Sequence, residues 1–111
     1  MRKQITIDGK ELEFEANAGT AILFKRAFKR DLLQIMQNAE KEGLDVIQEL
    51  AYVMHIQTKG KTSEVLKKAN ETDFFEWICQ FSTEAFWNEE VASELINLWV
   101  DTQKATSTSK N

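Results

Sequence analysis

A mainly α domain with an N-terminal two-stranded β-hairpin packed on its helices, α+β in outline, is the fold class this sequence predicts. Three observations predict it. Residues 3–15 alternate apolar and polar side chains on both sides of Asp8-Gly9. Most of the later chain repeats its apolar residues at the helical period. The 111 residues contain no proline and only four glycines. Strands alternate with period two and helices with period 3.6, so the change after residue 15 marks a change of element type. With so few breakers, long helices meet little local opposition. The length suits one domain with one core. We expect that domain at residues 1–101, with the hairpin over 3–15 and about five helices, followed by a disordered polar tail at 102–111.

The hairpin comes first. Lys3-Gln4-Ile5-Thr6-Ile7 and Glu11-Leu12-Glu13-Phe14-Glu15 flank Asp8-Gly9, a pair suited to the two positive φ values of a type I′ turn. This register sets Ile5 opposite Leu12 and puts Ile7 and Phe14 on the same side. A lone hairpin is marginal in water, so its apolar face needs helices to cover it. Thr20 is the expected N-cap of a helix over 21–29, in which Ile22, Phe24 and Phe28 stand among Lys25, Arg26, Lys29 and Arg30. Asp31 with Gln34 three residues on is a capping pattern. It opens a stripe of Leu32, Leu33, Ile35, Met36 and Ala39 that Gly43 ends. Asp45 caps a third helix through Val46, Ile47, Leu50, Ala51, Val53 and Met54, ending near Gly60. Residues 60–72 read as a loop with one turn around Val65-Leu66. Thr72 or Asp73 opens a helix through Phe74, Phe75, Trp77, Ile78 and Phe81, which Ser82-Thr83 bends or ends. The last helix, 84–100, carries Phe86, Trp87, Val91, Leu95, Ile96, Leu98 and Trp99.

Composition narrows the function. No apolar stretch approaches the twenty or so residues of a membrane span, and the charged start runs into Ile5-Thr6-Ile7 with no apolar leader core. With one cysteine, Cys79, no internal disulfide can form, so a reducing cytoplasm is expected. The net charge of −4 conceals a gradient. Residues 1–30 carry seven Lys/Arg against four Asp/Glu, and residues 71–101 carry eight acids and no Lys or Arg.

Catalytic and metal chemistry find no foothold. His55 is the only histidine, so a zinc site, a Ser-His-Asp triad and a Cys-His pair would all have to use it. Its neighbours Met54 and Ile56 suggest the margin of a core. Cys79, between Ile78 and Gln80, reads as a buried inert thiol. Gly60-Lys61-Thr62 lacks the earlier glycine and the preceding strand of a phosphate loop. We expect no enzyme, no cofactor and no metal.

What stands out is the aromatic load: three tryptophans and seven phenylalanines, most after residue 73. Either they wrap a small core on several sides or some face outward as interface anchors. The candidate partner surface is Phe75, Trp77, Phe86, Trp87 and Trp99 with Glu84, Glu89, Glu90 and Glu94. The basic cluster Lys25, Arg26, Lys29 and Arg30 is a candidate for self-association. A positive and a negative end on one chain suit head-to-tail contact, and the alternative is that both patches are simply solvated. A net-acidic chain is repelled by nucleic acid.

The order of parts resembles the tail assembly chaperones encoded by long-tailed phages and prophages of Gram-positive bacteria. The likeness is carried by the hairpin Ile5-Thr6-Ile7-Asp8-Gly9-Lys10-Glu11-Leu12-Glu13-Phe14, then Ala18-Gly19-Thr20, Phe28-Lys29-Arg30-Asp31-Leu32, Leu50-Ala51-Tyr52-Val53-Met54 and Phe74-Phe75-Glu76-Trp77-Ile78. It covers roughly residues 3–100. The resemblance implies a non-enzymatic function in the bacterial host cytoplasm. Such a protein coats the long tape measure protein, helps recruit tail tube subunits, and leaves before the virion is finished. It also implies a longer, frameshifted form. The competing expectation is an acidic inhibitor or DNA mimic that blocks a basic nucleic-acid-binding site on another protein.

Overall fold

The structure, a computed structural model, describes the backbone of residues 1–37 and 44–109 and the side chains of residues 1–37 and 45–102. Strands β1 (Arg2–Ile7) and β2 (Lys10–Glu15) pair antiparallel, with Ile5 opposite Leu12 and Ile7 opposite Lys10. Asp8 and Gly9 take φ of 56° and 78°, the two positive values that close a hairpin of this twist. Six helices follow among the described residues: α1 (Gly19–Phe28), α2 (Leu32–Gln37), α3 (Leu44–Ile56), α4 (Thr62–Lys68), α5 (Glu71–Ile78) and α6 (Glu89–Ser109). The hairpin packs its Ile5, Ile7 and Phe14 face on the helices, and all three side chains are buried.

α3 is the centre. Every residue from Leu50 to Ile56 is buried, so the helix has no solvent face over that stretch. The hairpin, α1, α5 and α6 each pack against it. Phe24 and Phe28 of α1 meet at 5.1 Å, and Phe28 lies edge-on to Phe74 of α5. From α6, Val91, Leu95, Leu98 and Trp99 close the core.

Local hydrogen bonds explain where these helices start, and several starts differ from the sequence expectation. Thr20 is inside α1 and fully buried, not its N-cap. The N-cap position falls on Ala18, which has no side-chain cap, and Asn17 before it supplies the bonds: its side-chain oxygen accepts from the Gly19 N–H at 2.8 Å and its carbonyl from the Thr20 N–H at 3.1 Å. The Thr20 hydroxyl donates to Gln57 at 2.7 Å, tying α1 to the end of α3. Asp31 accepts from the Leu33 N–H at 3.0 Å, as a residue opening α2 should. Ala39 and Gly43 lie outside the described residues.

α4 replaces most of the expected 60–72 loop. Seven residues are too short a helix to stand alone, and three tertiary contacts hold it. Val65 is buried, the Tyr52 hydroxyl donates to the Lys68 carbonyl at 2.6 Å, and Arg26 donates to the Leu66 carbonyl at 3.4 Å. α5 starts at Glu71, one or two residues before the expected Thr72 or Asp73. Its cap is Asn70, which accepts from the Asp73 N–H at 2.8 Å and donates to the Asp73 carboxylate at 2.9 Å. α5 ends at Ile78, so Cys79 falls in a turn and is exposed rather than buried. The last helix begins at Glu89, not at residue 84, capped by Asn88, which accepts from the Glu90 N–H at 2.9 Å. It also runs on to Ser109, so residues 102–109 are helical backbone where a disordered tail is expected. That segment holds neither proline nor glycine, and Thr102 anchors its start by donating to the Leu98 and Ala16 carbonyls.

Trp99 separates burial from polar satisfaction, because its indole N–H is buried without an acceptor. Trp99→Ala should therefore cost about 3–5 kcal/mol of folding free energy. Trp99→Phe keeps most of the apolar area and removes an unsatisfied donor, so it should cost less than roughly half of that. Urea unfolding of both variants checks this, and equal losses would overturn it.

Candidate partner-binding surface

The candidate surface follows from the phase of α5. Phe74 turns inward, edge-on to Phe28 and 5.7 Å from Tyr52. Trp77, one helical turn on, stacks on His55 at 5.5 Å and meets Tyr52 and Phe81 at 5.4 and 4.9 Å. Successive helical residues point about 100° apart, so Phe75 cannot join them and is 65% exposed. It stands with Glu71 and Glu76 at a cleft of about 510 Å³ floored by Phe28 and Phe74.

Trp87 is set by the turns between α5 and α6. The Asp8 carboxylate at the hairpin tip accepts from the Ser82 N–H at 2.8 Å and the Ser82 hydroxyl at 3.1 Å. The Lys10 ammonium lies 5.1 Å over the Phe81 ring, a cation–π contact. Phe81 in turn meets Phe86 edge-on at 5.4 Å. With Phe86 drawn fully into the core, the next residue faces out, and Trp87 is 62% exposed.

These positions sort the expected anchors. Phe75 and Trp87 face solvent; Phe86 and Trp99 do not, and as core residues they cannot serve as surface anchors. Sequence phase misleads here. A helix from residue 84 would put Trp87 in line with Val91 and Leu95, whereas the start at Glu89 frees it. Trp77 is intermediate, lining a cleft of about 290 Å³ with Tyr52, His55, Asp73, Glu76 and Lys59. Among the acids, Glu84, Glu89 and Glu90 are exposed, and Glu94 pairs with Lys3 at 3.4 Å. Sequence reasoning missed Glu71 and Glu76, whose signal was their spacing around Phe75.

The basic cluster divides. Arg30 is spent within the chain, on the Glu49 carboxylate and 5.9 Å from the Phe24 ring. Lys29 ends α1 in a left-handed conformation and donates to the Arg26 carbonyl at 3.0 Å. Lys25 and Arg26 remain exposed. Glu71 shares a cleft with Arg26, Lys29 and Lys67. At this cleft an acid from the acidic third of the sequence therefore lies beside the basic cluster.

His55 is structural in its contacts. Its Nδ1 lies 2.9 Å from the Glu13 carbonyl, which can only accept, so Nδ1 carries the proton. Burial, helped by Lys59 and Lys68, pushes its pKa below 6.5. Among the described residues no three His, Cys, Asp or Glu side chains gather as a metal site. No helix among them is long and apolar enough to cross a membrane.

Two buried groups give the pH response opposite signs. Burial pushes the Glu49 carboxyl up to about 7 despite Arg30, with Asp45 and Glu71 adding to the rise. Between 4.5 and about 7 the folded chain then holds a proton the unfolded chain has lost, so this group's contribution falls as pH rises. His55 acts the other way: below 6.5 the unfolded chain binds the extra proton, so stability falls as pH falls. Glu49→Gln should therefore leave a chain that loses stability more steeply than the native one on acidification from neutral pH. Urea midpoints across that range check it, and superimposable pH profiles would overturn it.

Compared with protein-family models, curated proteins and solved structures, the chain matches none.

Proposed function

We propose that this protein is a non-enzymatic assembly chaperone of the phage or prophage tail type. In this reading it holds apolar helical segments of a tape measure protein in solution and helps recruit tail tube subunits. One observation carries the reading: Phe75 and Trp87 stand outward while the rest of the aromatic load is in or against the core. Large aromatic side chains that give up burial at this level are the usual anchors of protein interfaces. Glu71 and Glu76 share the cleft of Phe75, Glu84, Glu89 and Glu90 lie within three residues of Trp87 in the chain, and none of the five takes part in an ion pair among the described residues. Such a rim keeps an apolar patch soluble while it waits for a partner. The hairpin followed by helices also accords with the resemblance read from the sequence. The competing reading, an acidic inhibitor or DNA mimic, calls for an acidic face free of large apolar side chains. The two outward aromatics favour the chaperone.

Co-expression with a tape measure protein tests this directly. The native chain should keep that long partner soluble. Phe75→Ala and Trp87→Ala should each weaken the complex by about 2 kcal/mol, roughly 30-fold. Because both side chains are exposed, each variant should hold its own stability within about 0.5 kcal/mol. A partner that stays insoluble with the native chain, or variants that bind like it, would sink the proposal.

A further inference from the structure

A second surface has the opposite sign. Residues of α1, of the segment before α4 and of α4 itself line a groove of about 300 Å³, among them Gly19, Ile22, Leu23, Gly60, Val65 and Leu66. Its apolar wall is open to solvent: Ile22 is 69% exposed and Leu66 is exposed as well. Ile22 shares its helical face with Lys25, Arg26 and Lys29, at spacings of three, four and seven residues. The segment leading into α4 adds Lys61, and α4 adds Lys67, which shares a cleft with Arg26 and Lys29, whereas Lys59 and Lys68 line the Trp77 cleft instead. The one acid on these elements is Glu64, whose carboxylate folds over Gly60. None of these bases forms an ion pair among the described residues. Arg26 is nonetheless held in place by the Leu66 carbonyl.

The geometry points to this groove as a docking site for an acidic amphipathic helix of another protein. Two helices with apolar side chains between them form the trough into which a third helix lays its apolar stripe. A basic rim of this density selects acids on the flanks of that stripe and repels a basic helix. Nucleic acid is disfavoured because no aromatic side chain lines the groove, so bases have no platform to stack on. The site is separate from the Phe75 and Trp87 surface, and the inference stands whether or not the chaperone reading does.

The test uses the full chain labelled with ¹⁵N and two synthetic helical peptides. Both peptides carry leucines at the same positions, and one has glutamates and the other lysines on its flanks. The glutamate peptide should shift the amides of Gly19, Gly60 and Val65. Its binding should weaken at least about tenfold in Ile22→Asp, an exposed site whose substitution should leave the chain folded, as its native-like ¹⁵N spectrum would check. It should weaken as much in the double variant Lys25→Glu, Lys61→Glu, which should gain affinity for the lysine peptide. The inference is overturned by silent groove amides at millimolar glutamate peptide, or by equal binding of the two peptides in the native chain. It is also overturned if an oligothymidylate outcompetes the glutamate peptide at those amides, which would make the ligand nucleic acid. Self-association in sedimentation that Ile22→Asp abolishes would make the occupant a second copy, and would overturn it too.

Discussion

A helix with no solvent face must be covered on every side, and that requirement organises this protein. From Leu50 to Ile56 each α3 side chain is buried, so the successive 100° steps around the axis each need a neighbour. The hairpin meets it through the His55–Glu13 bond, and α1 through Thr20 and Gln57. α4 meets it through the Tyr52 hydroxyl, and α5 through Phe74 and Trp77 against Tyr52 and His55. Its two polar side chains there, Tyr52 and His55, are satisfied by backbone carbonyls of other elements. A buried polar group left unpaired costs about 1–3 kcal/mol, so these bonds fix which element lies where as well as holding it there.

Much of this was legible from residue patterns, and the failures share a cause. The hairpin and its register followed from Asp8-Gly9 and strict alternation, both local signals. One side of α3 followed from the period of its apolar residues, but that period leaves a solvent face which the burial of Tyr52, His55 and Ile56 removes. Helix starts were misread where the cap lies outside the apolar stripe, as with Asn17, Asn70 and Asn88. α4 was foreseen only as one turn around Val65-Leu66 because its stability is tertiary: Lys67 and Lys68 look like loop residues until Val65, Tyr52 and Arg26 pin the segment.

The candidate surface was legible in kind but not in detail. A surplus of aromatics can be counted from composition, yet which of them turn outward depends on where each helix begins. A shift of a few residues at the start of α6 was enough to free Trp87, while Phe86 went into the core. The charges rearranged for a related reason. Lys3 and Lys10, distant in sequence from the acidic third, fold against it at Glu94 and Phe81. The lysines around α4 meanwhile join those of α1. Charge runs along a chain report what is available, and topology decides which charges neutralise each other.

The contact between Asp8 and Ser82 joins residues 74 positions apart, and Thr102 reaches back to Ala16 across 86. The hairpin thus receives part of its covering from α6, which follows it much later in the chain. At about 5–20 residues per second, the hairpin's apolar face waits on the order of 5–20 s before α6 emerges. A free hairpin is only marginally stable, so through that interval the N-terminal strands are frayed, and their edges stay open to pairing with other chains. Crowded polysomes are therefore where this fold is most exposed to misassembly. The strand side chains that face solvent, Arg2, Gln4, Thr6, Glu11 and Glu13, are polar or charged, as strands that must wait in water require.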